Sequence, residues 1–368
     1  MNDSVAIVGG GLAGFVAYAT LVHGGPEALD VSVFDASGTD PAAAWRRRAA
    51  AIRQRTMRSE SDGHCLPTSF PGLAVRAALR RRDPRPLVAT AFDRYNPSVE
   101  EFLEHVEELR ARVGWDGAVV PRRVERIRAV DGGFELACDS AVTRKFRHVL
   151  VATGHPGLNV PEELAGDPRV VHAYEPHEYA DDVVVVGAGM AAATEWVNAL
   201  AAGARVASVR RRGPARRPLN LPRHLFTRRG LARYHGLAPA DRAAFLRDLL
   251  VPSFPPGRRR DEALASPRFR VAAEVNGAAQ VICATGFGRG FRHDPLLARL
   301  VDEHALPAYG GRIELAPDCT VPALTDAART LALTGIAAQW AYPGADTLVG
   351  MKYAARGFLR RVKACRTR

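Results

Sequence analysis

The chain predicts a doubly wound α/β fold built from two Rossmann-like units, the second inserted into the first. Three observations carry this. Ser4–Ala19 reads SVAIVGGGLAGFVAYA and Asp182–Trp196 reads DVVVVGAGMAAATEW, each an apolar strand, a glycine-broken turn and a helix-forming run. The phrase Ala-Thr-Gly then recurs behind each of them, at 152–154 and 284–286, both times after an apolar run.

In the first unit, Val5–Val8 is all apolar and mostly β-branched, as a parallel strand buried on both faces should be. Gly9-x-Gly11-x-x-Gly14 follows, with Leu12 and Ala13 opening the helix. The first glycine allows a tight turn, the second lets backbone approach a pyrophosphate, and the third lets helix and strand pack closely. Phosphates then sit at the helix N-terminus, where free N–H groups and the dipole favour negative charge. The next strand, Val31–Phe34, ends in Asp35, an acid placed to accept hydrogen bonds from both hydroxyls of an adenosine ribose. Its separation from Gly9 slightly exceeds the usual ~20 residues, which the loop HGGPEALD explains.

The second unit differs at two places. Val183–Val186 leads into Gly187-x-Gly189-x-x-Ala192, with Met190 and Ala191 opening the helix, so alanine stands where the third glycine was. Helix and strand are expected slightly further apart there. The following strand, Val206–Val209, ends in Arg210, Arg211 and Arg212 instead of an acid. A carboxylate repels a 2′-phosphate, whereas guanidinium groups bind it by charge-assisted contacts. The first site therefore reads as a dinucleotide site and the second as an NADPH site, preferred over NADH.

With 368 residues the chain has room for two or three domains. The formal charge is +12, and the cations are nearly all arginine, with lysine only at Lys145, Lys352 and Lys363. No stretch interleaves aromatic and basic residues, so nucleic acid is not an expected partner. Cys65, Cys138, Cys283, Cys319 and Cys365 are scattered without Cys-x-x-Cys spacing, which argues against a disulfide framework, a zinc site or any other metal centre, or a redox dithiol. A reducing cytoplasm is the simplest compartment. Val5–Val22 is apolar enough to imitate a membrane span, but its glycines cluster at one turn and no positive segment precedes it. No membrane association is expected.

Between the loops, Asn96–Ala111 carries Val99, Phe102, Val106 and Leu109 at helical spacing. The stretch RRVERIRAVDGGFELAC, from Arg122 through Val124 to Cys138, alternates and turns at Asp131-Gly132-Gly133 as a hairpin does.

The order GxGxxG, ATG, GxGxxA, arginine cluster, ATG resembles the NADPH-dependent flavin monooxygenases with two dinucleotide-binding domains. These comprise flavin-containing monooxygenases, Baeyer–Villiger monooxygenases and lysine or ornithine N-hydroxylases. The likeness covers most of the chain, and the tail LALTGIAAQWAYPGADTLVGMKYAARGFLRR is similar to the closing segment of the N-hydroxylases. The resemblance implies FAD and NADPH as cofactors. It places Asp346, Thr347 and Leu348 near the isoalloxazine, Trp45 and Arg46 of PAAAWRRR against FAD, and Val124, Thr153, Gly154, Thr285 and Gly286 among the cofactor contacts. His172, in RVVHAYEPHEY, matches the histidine of the Baeyer–Villiger fingerprint, whose Phe and Gly are absent and whose closing aromatic is displaced to Tyr179.

Two cofactors of this kind most simply pass hydride from nicotinamide to flavin. The resemblance implies that reduced flavin then captures O2 as a C4a-(hydro)peroxide and oxygenates a small molecule such as an amine, thioether or ketone. The alternatives are an NAD(P)H-dependent flavoprotein reductase or dehydrogenase, and a non-catalytic nucleotide-binding protein. Catalytic residues are not fixed; His64 and His172 are candidates, as are Cys65, Tyr234 and His235 for substrate contact. The arginine- and proline-rich stretch Arg216–Pro239 is long for a loop and suggests a lid or binding segment, with DRAAFLRDLL after it as a short amphipathic helix. The architecture expected is an FAD domain from residues 1–165 and 288–368, with an NAD(P)H domain of residues 166–287 inserted.

Overall fold

The computed structural model describes residues 4–25, 29–57, 65–66, 72–91, 95–139, 143–211, 213–217, 221–249 and 251–366. Strands β1 (Ser4–Val8), β2 (Asp30–Phe34), β3 (Val119–Val120), β7 (His148–Val151) and β17 (Thr330–Leu333) form one parallel sheet in the order β17-β7-β1-β2-β3. A second parallel sheet, in the order β13-β10-β9-β14-β8, joins β8 (Val170–His172), β9 (Asp182–Val186), β10 (Arg205–Val209), β13 (Phe269–Ala272) and β14 (Gln280–Cys283). In each sheet the glycine-loop strand is central, and the crossover to the next strand leaves a crevice at the strands' carboxyl ends.

The apolar run of β1 is explained by what covers it. Val5 and Ile7 join a core with Phe15, Phe102 and Phe358, contributed by α1 (Leu12–Gly24), α5 (Val99–Arg112) and α12 (Leu348–Arg366). Ala6 and Val8 face the opposite core, with Ile127, Phe134 and Phe146 from the antiparallel strands β4 (Val124–Val130), β5 (Gly133–Cys138) and β6 (Thr143–Phe146). The hairpin expected around Gly132 is the β4–β5 turn, and Gly132 has φ 68° there. The helix expected over Asn96–Ala111 is α5. Its start is fixed by a capping box in which Ser98 and Glu101 satisfy each other's backbone N–H groups at 3.0 and 2.9 Å. The helices α2 (Ala43–Ala51), α3 (Leu73–Arg81), α4 (Arg85–Ala91) and α6 (Trp115–Ala118) complete this half.

The second sheet is covered by α7 (Met190–Ala201) and α10 (Arg258–Leu264), with Val183, Val185, Trp196 and Phe254 in its core. Between β10 and α10 the chain leaves this half and crosses to the other. The stretch expected to be a lid loop instead folds, through a short turn at Arg223–Phe226, into α8 (Arg228–His235), which Thr227 caps by accepting from the Gly230 N–H at 3.1 Å. Then comes α9 (Pro239–Leu249), the helix expected from DRAAFLRDLL; Leu246 is its buried side chain. Returning through β12 (Ser253–Phe254), the chain pairs with β11 (Ala215–Arg216). Leu231, Tyr234 and Leu246 are buried in the first half's core beside Trp340, Ala341 and Tyr342. The insertion is therefore a strap across both halves. A small ladder of β15 (Ala308–Tyr309) and β16 (Arg312–Ile313) follows α11 (Pro295–His304). No described helix is long and apolar enough to cross a membrane.

Candidate functional site

The two glycine loops share one backbone plan. Gly9 N–H donates to Phe34 O and Gly187 N–H to Val209 O, at 2.9 and 3.0 Å. Ala152 N–H donates to Val8 O and Ala284 N–H to Val186 O, at 2.7 and 2.8 Å, which ties each Ala-Thr-Gly to its own glycine strand. Gly9 and Gly187 have φ 109° and 135°, and a Cβ on either would fall 2.4–2.5 Å from the alanine carbonyl of that phrase. A Cβ on Gly14 would lie 2.0 Å from Gly9 O, so the first unit needs its third glycine; the second accommodates the methyl of Ala192, which is fully buried. Gly11 and Gly189 are different. Their φ values are −70° and −88°, open to any residue, and a Cβ on either would meet nothing within 4 Å. The protein itself leaves that space open on both loops. Neither α1 nor α7 has a side-chain N-cap or an acid in its first turn, so each presents bare N–H groups to it.

Asp35 lies where expected, at the end of β2. Its carboxylate accepts from the Gly10 and Ser37 N–H groups, both at 2.6 Å, and from the Ser37 hydroxyl. At the matching place in the second unit, half-buried Arg210 stands 5.8 Å from the Trp196 ring and Arg211 is exposed, neither in an ion pair among the described residues; Arg212 lies outside them. Arg260, which the sequence reading missed, reaches the same helix end. Its guanidinium donates to Met190 Sδ at 3.6 Å and to Pro255 O at 3.3 Å, while the neighbouring Asp261 is held by Arg216 at 2.9 Å. Burial lowers the Arg260 pKa. Only the packing of α10 on α7 brings it there, and nothing in the local sequence signals that packing.

The two Ala-Thr-Gly loops meet each other. Thr285 Oγ1 donates to Asn159 O, Asn159 N–H to Gly286 O at 3.0 Å, and Gly288 N–H to Gly157 O at 2.9 Å. Gly154 and Gly286 carry nearly the same left-handed φ, 77° and 78°; Thr153 Oγ1 is buried without a partner. Phe287 stacks on His155 at 4.1 Å and on Tyr174 at 5.0 Å, and Arg48 sits 4.7 Å over the same ring. Burial, with the charges of Arg48 and Arg289 added, pushes His155 down to about 4, so it is neutral near pH 7.

Other expected residues have structural partners. Arg46 pairs with Asp40 at 2.6 Å and with Glu107 at 3.4 Å, and Trp45 packs edge-on against Phe102. Val124 is buried in the core beneath β4. Leu348 is buried against α1, and Thr347 is engaged in the turn that starts α12, donating to Gly344 O and accepting from Gly350 N–H. Asp346 alone of that trio is exposed. Desolvation by the surrounding protein raises its pKa against the lowering effects of its backbone bond and of the Arg289 charge. His64 lies outside the described residues. His172 is 1 % exposed. Its Nδ1 accepts from the Tyr174 N–H at 3.2 Å and its Nε2 bonds Gly286 O at 3.0 Å, a neutral ring clamping the second Ala-Thr-Gly. Tyr234 and His235 are anchors of the strap rather than free contacts, bonding Trp340 O and Ala341 O at 2.8 and 2.7 Å. Cys65 is fully buried, and its N–H donates to His105 Nε2 at 3.0 Å. Tyr179 donates to fully buried Glu195 at 2.8 Å, alongside His177 at 3.1 Å. Among the described residues no group of His, Cys, Asp and Glu could hold a metal ion.

No protein-family model matches the chain. No curated protein matches it either. Solved structures do. An ornithine N-hydroxylase from Kutzneria sp. 744, solved with reduced FAD, NADP+ and L-ornithine, is similar over 99% of this chain and 99% of its own, with TM-score 0.71 and 17% identity. This is the fold of flavoproteins with two dinucleotide-binding domains. An ornithine hydroxylase from Pseudomonas aeruginosa aligns over 98% of this chain and 99% of its own, with TM-score 0.67 and 16% identity. A bacillithiol disulfide reductase from Bacillus cereus aligns over the full length of both chains, with TM-score 0.57 and 15% identity. At these identities the likeness shows the fold.

Proposed function

We propose that this chain is an FAD-dependent oxidoreductase reduced by NADPH, acting as a monooxygenase on a small organic molecule. The observation that carries the reading is the pair Gly11 and Gly189. Both lack a side chain where the protein needs none removed, at helix ends without acids, and each therefore suits close approach of a pyrophosphate. FAD is assigned to the unit ending in Asp35, formed by residues 1–165 and 288–368, and NADPH to the unit of residues 166–287, where Arg210 and Arg211 meet the 2′-phosphate. FAD, when bound, supplies a two-electron acceptor that hands those electrons to dioxygen.

The chain's own residues hold the partners face to face. The junction of the two Ala-Thr-Gly loops fixes the distance between the units, and the column of His155, Phe287 and Tyr174 excludes water beside it. Neutral His155 and His172 add no charge to this wall. Asp346, its pKa raised by desolvation, holds a proton at its carboxyl at higher pH than an ordinary aspartate. Overall, NADPH, a proton, O2 and substrate give NADP+, water and a substrate carrying one added oxygen. The decisive experiment is anaerobic mixing of flavin-loaded protein with NADPH, then admission of O2 with candidate amines, thioethers and ketones. Bleaching of the flavin, followed by an oxygenated product in a 1:1 ratio to NADPH oxidised, is expected. Bleaching without any oxygenated product would make the chain a reductase, and no bleaching at all would leave it a nucleotide-binding protein.

A further inference from the structure

The helix α7 reads MAAATEWVNALA, and its single acid, Glu195, is fully buried. A carboxylate is seldom withdrawn from water unless the fold holds a partner for it. Here Oε2 accepts from the Tyr179 hydroxyl at 2.8 Å and faces His177 Nε2 at 3.1 Å. The other oxygen, Oε1, is buried without a partner among the described residues. On its far side, the His177 ring places Nδ1 2.7 Å from Glu175 O. A carbonyl only accepts, so Nδ1 carries a hydrogen. In a neutral ring Nε2 would then turn a bare lone pair toward a carboxylate oxygen. A contact at that distance needs a proton between the two, on the ring or on the carboxyl.

The pair lies at the joint of the two halves. Ile52, at the end of α2, is buried in the second half's core, and Asn198 of α7 donates to Ile52 O at 2.8 Å. Arg53, next in the chain, holds Glu178 at 2.9 Å and lies 4.9 Å over the Tyr179 ring. Residues 172–179 therefore run from Gly286, bonded by His172, past Tyr174 in the aromatic column to α2. His177 fastens this segment to α7. Other groups facing the pair do not take its proton. Burial raises the pKa of Tyr174 and of Tyr179, so both phenols stay neutral. The Glu175 carboxylate is turned to the His172 N–H at 2.9 Å, and Gln280 of β14, uncharged, donates to Glu178 O at 2.7 Å. Arg53 is answered by Glu178, and Arg48 lies over Phe287, on the Tyr174 side.

We propose that His177 and Glu195 form a one-proton latch, which when closed holds residues 173–181 against α2 and keeps the two halves set for hydride transfer, and when open releases them. Once the proton passes to water, two lone pairs face each other beside a buried carboxylate, and the contact is repelled. Burial opposes the charged ring, but the bonds to Glu195 and to Glu175 O outweigh it and raise the His177 pKa. The latch is therefore closed below 6.5 and opens as pH rises through the raised value. Glu195 is a positioning residue in this scheme, acting through α2 and the aromatic column. Its effect on hydride transfer rests on the oxidoreductase reading; the latch itself does not.

The test is amide hydrogen exchange of the full-length, flavin-loaded protein between pH 6 and pH 9, corrected for the intrinsic pH dependence of exchange. In the wild type, protection of residues 173–181 and 49–54 should fall at least about tenfold over that range. Glu195→Gln keeps the shape and offers its own N–H to His177 Nε2, so its protection should stay level; His177→Gln, without the titrating ring, should stay level too. Retained flavin absorbance in both variants controls for folding. Reduction of the flavin by saturating NADPH, followed by stopped flow, should slow at least about fivefold with rising pH in the wild type and be nearly level in Glu195→Gln. The inference is overturned if wild-type protection does not fall, or if both variants follow the wild-type profile. A fall in protection without bleaching at any pH would keep the latch and overturn the oxidoreductase reading; bleaching with coincident pH profiles in all three proteins would do the reverse.

Discussion

The two nucleotide units repeat each other in backbone and part company in side chains. Both hold a strained glycine against an alanine carbonyl, and both leave an open glycine at a bare helix end. They differ where helix crosses strand, Gly14 against Ala192, and where the second strand ends, Asp35 against Arg210. The difference teaches which parts of a repeated motif are demanded by the fold and which by the ligand. Gly9, Gly14 and Gly187 answer to backbone a few ångströms away, and Asp35 to the Gly10 and Ser37 N–H groups; Gly11 and Gly189 answer to nothing within 4 Å, and on the proposed function they answer to a ligand.

Replacing Gly14 by Ala is expected to break the comparison most severely. The added methyl would meet Gly9 O at 2.0 Å, which neither rotation nor side-chain relaxation can relieve. A loss of about 3 kcal/mol or more is expected, read by denaturant unfolding, together with loss of flavin. The mirror change, Ala192→Gly, removes a methyl from a helix that already accommodates it and should cost about 1 kcal/mol. Equal effects would mean that the two crossings are not distinct.

Histidines distinguish the halves by pH. In the first half burial, with nearby arginine charges, pushes His105 down to about 4, so its stabilising effect is complete above pH 6.5 and is lost as pH falls from there toward 4. The contribution is on the order of 3 kcal/mol. In the second half burial opposes the charged form of His177, but bonds to Glu195 and to Glu175 O outweigh it and raise the pKa. That contribution is present below 6.5 and is lost as pH rises through the raised value. Tm profiles of His105→Gln should therefore converge with the wild type in acid, and those of His177→Gln above neutrality; the same trend for both would remove the distinction.

Ligand selection supplies the next test. Arg210→Asp should cut the preference for NADP+ over NAD+ by about one to two orders of magnitude in calorimetric titration, leaving flavin content unchanged. The smaller expected effect on binding belongs to Arg260→Gln, which should weaken NADP+ and NAD+ alike by about tenfold. A loss confined to NADP+ would move Arg260 from the pyrophosphate to the 2′-phosphate.

Local features of these units were legible in the sequence because strand–turn–helix chemistry is local. Gly9 to Asp35 and Gly187 to Arg210 each specify their turn, their buried strand and their terminal charge within a short span. What escaped was assembled from distant parts. The helix α8 hid within an arginine- and proline-rich run, since Leu231 and Tyr234 are its only large buried side chains and their destination is Trp340 in the other half. His172 carries no local sign of burial, and its bond to Gly286 O, over a hundred residues away, shows why it is buried.

The strap formed by α8 and α9 has a mechanical corollary. Tyr234 and His235 pin it to Trp340 and Ala341, a few residues before Asp346, while Phe254 and Arg260 fasten its far end to α7. Any swing of one half against the other must stretch this clasp. On the proposed assignment of the two units, this clasp limits how far a nucleotide held by one half can move from a nucleotide held by the other, so their effective concentration is set by the span of one clasp.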